Sequence, residues 1–168
     1  MGDSLMQYVI DTNYLISACH NYYIGVFDSF WDKINELIED DILVSINEVK
    51  EELESKKPRE HWLAINEKAN GKFFKELNNG EEKCIPLIEE LPIFKEEFGN
   101  GRTLEKEWGE YTDKVADPWL IAYGWKHGAT VITNESVKKT HNIPHVCDEL
   151  GIRHVNLEEF FLENDIHL

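Results

Sequence analysis

The sequence predicts an α/β fold built on a parallel sheet, on three observations. Four short apolar runs, MQYVI (6–10), ILVSI (42–46), ATVIT (129–133) and RHVNL (153–157), read as buried strands. Helix-like sequence separates each run from the next, an alternation that points to parallel strands flanked by helices. Acidic residues also recur at equivalent places near the strand ends. The 168 residues suit one well-buried core. The expectation is therefore a single domain over 1–168, with a central parallel sheet of four to five strands and a helical insertion at 54–116.

The first strand, Tyr8 to Ile10, turns polar at once in Asp11, Thr12 and Asn13 before apolar periodicity resumes. Two readings of Asp11 compete. It caps the next helix, because its oxygen can accept a free first-turn N–H, or it is part of a metal site. VFDSFWDKINELIED then places Phe27, Phe30, Trp31, Ile34, Leu37 and Ile38 at helical spacing, a face to bury against the sheet. The second strand runs into NEVKEELESK, where Asn47 is a candidate cap and Val49 and Leu53 face inward. Between 54 and 116 the apolar spacing is helix-like but broken at Gly and Pro, with a short strand expected near CIPL. DPWLIAYGWKHG has Pro118 in the first turn of a helix and Gly128 just past its end.

Composition narrows the function classes. No run approaches the roughly 18 apolar residues that cross a bilayer, and MGDSLMQYVID lacks the basic start and apolar stretch of a signal peptide, so the expectation is a cytoplasmic protein without a membrane partner. Cys19, Cys84 and Cys147 are odd in number and never spaced CxxC, which favours reduced thiols. The net charge of −16, from 33 acidic against 17 basic residues, opposes long-range attraction of a polyanion. It suits a basic protein partner, or carboxylates gathered around a divalent cation.

Asp11 follows the first strand, Glu48 and Glu52 follow the second, Asp117 opens the helix before the third, and Glu135 follows that strand after Thr133 and Asn134. In an open parallel sheet the carboxyl ends of the strands share one edge, so these distant acids can converge on one crevice. Convergence is what magnesium or manganese needs, since hard divalent ions take carboxylate and water oxygens. Each acid also has a structural reading, as a cap, a helix-start pair, a turn residue or part of a solvated helix face.

The VIDTN start, the EVKEEL helix and the DPWLIAYGWKHGATVITNE block, in that order, resemble the PIN-domain ribonucleases, including the VapC-like toxins of toxin–antitoxin pairs. NIPHVCDELGIRHVNLEEFF is similar to the end of a less characterised PIN-like branch. The resemblance covers both ends of the chain and leaves the middle insertion aside. It implies a Rossmann-like sheet and a metal-dependent endoribonuclease cleaving single-stranded RNA, the toxin of a pair with a cognate antitoxin; self-association as a homodimer is left open. By position Asp11, Glu52, Asp117 and Glu135 match the family's four acids, which hold Mg²⁺ or Mn²⁺. The fourth is often Asp there, and Glu reaches about one methylene further. Thr12, Asn13 and Thr133 lie where the family keeps small polar residues that orient carboxylates or water. Glu48, one turn before Glu52, is a supporting residue or the alternative ligand.

The implied chemistry is in-line attack by metal-bound water, leaving a 5′-phosphate and a 3′-hydroxyl. For RNA contact the candidates are Lys56, Lys57 and Arg59 after the Glu52 helix, and Lys138 and Lys139 after Glu135, with Trp62, Trp119 and Trp125 as stacking surfaces. His141, His145 and His154 read as surface or packing residues. Two rival functions stand beside the nuclease: a catalytically silent PIN-like binding module, and a phosphatase on a similar sheet. The second lacks the usual acid two residues after Asp11, where Asn13 stands.

Overall fold

The computed structural model describes residues 6–53, 56–109, 115–135 and 141–166. Five parallel strands form one sheet: β1 (Tyr8–Ile10), β2 (Leu43–Ile46), β3 (Phe74–Lys75), β4 (Thr130–Ile132) and β5 (His154–Val155), in spatial order β3-β2-β1-β4-β5. Every residue of β1, β2 and β4 is buried, which is why these strands read as unbroken apolar runs rather than alternating ones. Ser45, the polar residue within β2, donates its hydroxyl to the Ile10 carbonyl at 2.8 Å, so its burial leaves no orphaned group.

The chain starts at the centre of the sheet, moves outward through β2 and β3, and returns past β1 to place β4 and β5 on the other side. The order therefore reverses between β1 and β4, and a crevice opens outside their carboxyl ends at such a reversal. Helices α1 (Thr12–Asn21), α2 (Asp28–Glu39), α3 (Asn47–Glu52), α7 (Asp117–His127), α8 (Ile143–Leu150) and α9 (Leu157–Glu163) connect or follow these strands. In α2, Phe30, Trp31, Ile34, Leu37 and Ile38 are buried, as the helical spacing requires. Asn47 is the first residue of α3 rather than its side-chain cap: Ile46 holds the cap position and makes no side-chain hydrogen bond. Val49 and Leu53 are fully buried. Gly128 ends α7 at φ +65°, a left-handed conformation that a Cβ would strain.

The 54–116 stretch is not a purely helical addition. It supplies α4 (Lys56–Lys68), α5 (Asn79–Glu89), α6 (Pro92–Lys95), a π-helical turn (Glu105–Gly109) and the edge strand β3. Trp62 of α4 is built into the core, stacked on Phe73 with ring centroids 5.1 Å apart, its indole N–H donating to the Leu15 carbonyl at 2.9 Å. The strand expected at CIPL is instead helix, the middle of α5, with Pro86 inside it. The strand sits earlier, at Phe74–Lys75, where the Asn66 side chain accepts both the Phe73 and Phe74 N–H groups at 3.0 Å and holds the chain extended beside β2. No helix among the described residues is long and apolar enough to cross a membrane.

Candidate metal centre

Asp11 leaves β1 in extended backbone conformation and caps α1, its Oδ1 accepting the Tyr14 N–H at 3.3 Å. It is also only 5% exposed. The cap reading of this residue holds, and the cap fixes the carboxylate at the edge of the sheet. Burial, with added repulsion from Glu135 and Glu52, pushes its pKa up from 3.8 to about 7 against the pull of the Tyr14 and Asn13 N–H groups.

Glu52 is the last residue of α3 and reaches across the crevice, where its Oε1 accepts the Ala116 N–H at 2.7 Å. Ala116 is the cap position of α7, so the second acid fixes the start of the helix that carries the third. Burial raises the Glu52 pKa, while the Ala116 N–H and the nearby Thr12 hydroxyl lower it. Thr12 Oγ1 is buried and makes no full hydrogen bond among the described residues. Asp117, half-buried in the first turn of α7, is pushed from 3.8 to about 8 by burial and then by Glu135, Glu52 and Asp11. The N-terminus of α7 favours its anion by only about 0.3–1 kcal/mol, too little to offset that repulsion.

Glu135 lies three residues past β4. Its N–H donates to Thr133 Oγ1 at 3.3 Å, and its Oε2 accepts the N–H of Ile143, the first residue of α8, at 2.7 Å. The fourth acid is thereby tied to a helix N-terminus, and its charge is felt by both Asp11 and Asp117. Asn13 is exposed on α1 beside these groups.

The donor set is uniformly carboxylate and hydroxyl oxygen, and among the described residues no Lys or Arg belongs to the groups that perturb Asp11, Glu52 and Asp117. That chemistry fits a hard divalent cation. Among the described residues, however, no three His, Cys, Asp or Glu side chains close on a single point as they stand. Magnesium keeps several waters and commonly binds through one or two carboxylates, so a hydrated ion does not require three to close on it.

Glu48 is not part of the cluster. Its carboxylate is perturbed by burial, then by Glu51 and Glu81, and its Oε1 is buried without a partner among the described residues. One turn of helix separates it from Glu52, and that turn faces it toward α5. Arg59, half-buried, is engaged by the protein itself: its Nη1 donates to the Lys50 and Leu53 carbonyls at 2.6 and 3.1 Å, clamping the end of α3. Lys57 is exposed; the side chain of Lys56, and Lys138 and Lys139 entirely, lie outside the described residues. Trp62 is core, and Trp119 and Trp125 are partly buried against the core.

The histidines are packed or paired as expected: His141 bonds Glu96 at 3.0 Å and stacks on Phe98, His145 bonds Asn142 at 2.6 Å, and His154 bonds Asp148 at 2.9 Å. All three cysteines are free thiols. Sequence reading missed Arg59 as a clamp and Ala116 as the backbone partner of Glu52. Neither carries a signal, because a carbonyl-binding arginine and a bonded alanine N–H look like any others.

Fold and site together define an open parallel α/β domain whose topological reversal gathers four carboxylates. The chain belongs to the family described as the domain of unknown function DUF4411, whose model matches residues 8–168. No curated protein matches it significantly.

Proposed function

We propose that the protein is a metal-dependent endoribonuclease that cleaves single-stranded RNA, and that it acts as the toxin of a toxin–antitoxin pair. One observation supports the enzymatic part most. Four acids from unconnected parts of the chain share one field at the reversal between β1 and β4, and burial, with their mutual repulsion added to it, lifts Asp11 to about 7 and Asp117 to about 8. Retaining such a cluster without internal cations costs stability, and a site for Mg²⁺ or Mn²⁺ accounts for it. The PIN resemblance of the motifs that carry these acids supports the RNA substrate and the toxin role.

Asp11, Glu52, Asp117 and Glu135 would hold the ion. When bound, it supplies a water acidified toward neutral pH and neutralises the phosphodiester. Asp11 and Glu135 are held in orientation by the first turns of α1 and α8, and Glu52 by the Ala116 N–H. Thr12 offers a hydroxyl beside Glu52 to orient a water. The reading is tested by incubating single-stranded RNA with Mn²⁺ and wild type, Asp11→Asn or Asp117→Asn. Cleavage leaving 5′-phosphates in wild type and lost in both folded variants supports it; cleavage that survives both overturns it. The toxin role is tested by expression: growth arrest relieved by the product of the adjacent gene supports it, and unimpaired growth overturns it.

A second reading, a silent binding module, draws on the engagement of Glu52 and Glu135 by backbone N–H groups. Metal-independent stability together with no cleavage would favour it.

A further inference from the structure

The turn joining α1 to α2, residues 22–27, is YYIGVF. Two of its side chains fold inward: Tyr22 stacks on Phe30 at 4.2 Å, and Phe27 lies edge-on to Tyr22 at 6.0 Å. The other large apolar side chains are held outward, with Tyr23 63%, Ile24 53% and Val26 69% exposed. Slack does not explain this. The Val26 and Phe27 N–H groups both donate to the Tyr23 carbonyl, at 3.0 and 3.1 Å, and Gly25 takes φ +86° to close the turn. The result is a hydrogen-bonded apolar knuckle on a surface where large apolar side chains normally stand singly. Helix α9 runs beside it, since Phe161 packs on Tyr22 and Phe30, and the next residue, Leu162, is exposed as well.

The knuckle leads directly into an acidic helix face. Asp28, Asp32, Glu36 and Glu39 recur at helical spacing along α2, and all are exposed. Lys33 reaches only Glu36, at 4.0 Å; among the described residues no Lys or Arg forms an ion pair with the carboxylates of Asp28, Asp32 or Glu39, and Lys72 Nζ donates to the Glu39 carbonyl at 3.3 Å, at the far end of the helix from the knuckle. This charge selects the occupant. A second copy would bring the same acids against each other, and single-stranded RNA would meet the wrong sign. A cationic segment with apolar anchors matches both halves of the surface.

We propose that the 23–26 knuckle and the acidic face of α2 form the docking surface for a partner protein's amphipathic segment carrying apolar anchors beside Lys or Arg. The proposal stands whether or not the four carboxylates bind metal. Its test uses a fluorescein-labelled, 18-residue helical peptide of Leu and Arg, with a Leu and Glu peptide of the same pattern as control, titrated by anisotropy against the full chain. Saturable binding of the cationic peptide is expected, weakened at least tenfold in Tyr23→Ser/Val26→Ser and in Asp28→Asn/Asp32→Asn, unchanged in Asp11→Asn, and absent for the acidic peptide. Melting curves check that these surface variants remain folded. Wild-type affinity retained in either double variant, or no saturable binding, overturns the proposal. So does a wild-type dimer in sedimentation that Tyr23→Ser/Val26→Ser converts to monomer, because the knuckle would then be covered by a second copy.

Discussion

Replacing Asp11 by Asn should make the metal-free protein more stable at pH 8. Asn caps a helix about as well as Asp, so the contact to the Tyr14 N–H survives while the charge goes. The folded-state pKa of Asp11 is raised from 3.8 to about 7, first by burial and then by Glu135 and Glu52. For a group shifted upward, the favourable contribution is complete below the unfolded value and disappears as pH rises through the folded one. Wild type in chelator should therefore lose stability between about pH 4 and pH 7. At 1.36 kcal/mol for each pKa unit, the full difference is about 4 kcal/mol. Because Glu135 and Glu52 share that repulsion and relax when one charge is removed, about 2–4 kcal/mol is expected at pH 8, or a melting temperature higher by roughly 5–15 °C. Calorimetry in EDTA at pH 4 and pH 8 measures it, with the gap narrowing to within about 1 kcal/mol at pH 4. Millimolar Mn²⁺ should stabilise wild type and leave the variant nearly unmoved. A variant that is less stable than wild type at pH 8 in chelator would refute the repulsive cluster.

Three further outcomes follow from particular contacts. Glu52→Gln should abolish RNA cleavage, whereas Glu48→Gln should leave it within about twofold, since Glu48 faces Glu51 and Glu81; activity assays at saturating Mn²⁺ separate them. Arg59→Met should cost about 1.5–3 kcal/mol in urea unfolding, through the Lys50 and Leu53 carbonyls at the end of α3 that it leaves without their charged donor, with no change in the salt dependence of RNA binding. Trp62→Phe should destabilise measurably and Trp62→Ala by about 3–5 kcal/mol, without the selective loss of RNA affinity that a base-stacking residue would show.

Much of this architecture is legible in sequence because the strongest signals come from fully buried strands. YVI, LVSI and TVI lie within the runs read as strands, and the acids beyond them follow from the rule that parallel strands end on one edge. What escapes the sequence is set by tertiary contact. Strand β3 is two residues long, too short for any periodicity, and depends on Asn66 holding two N–H groups. CIPL looks strand-like by composition, but α5 is committed upstream, where Asn78 and Glu81 form a reciprocal capping box. The choice between Glu48 and Glu52 is a question of helix phase. The contact that holds Glu52 near the other acids comes from the Ala116 N–H, 64 positions away, which no local pattern encodes.

The central position of β1 bears on how the chain comes off the ribosome. Residues 8–10 are made well before one of the two neighbours of this strand, β4, which begins only at Thr130. Until then β1 has β2 on one side and an open edge on the other, and Asp11 sits in a half-sheet without Glu135. Domains fold as units during synthesis, and pairing of distant strands must await the later one. Until the ribosome has passed Glu135, the nascent chain accordingly carries neither the complete sheet nor the complete set of acids, and the crevice comes into being only with these later residues.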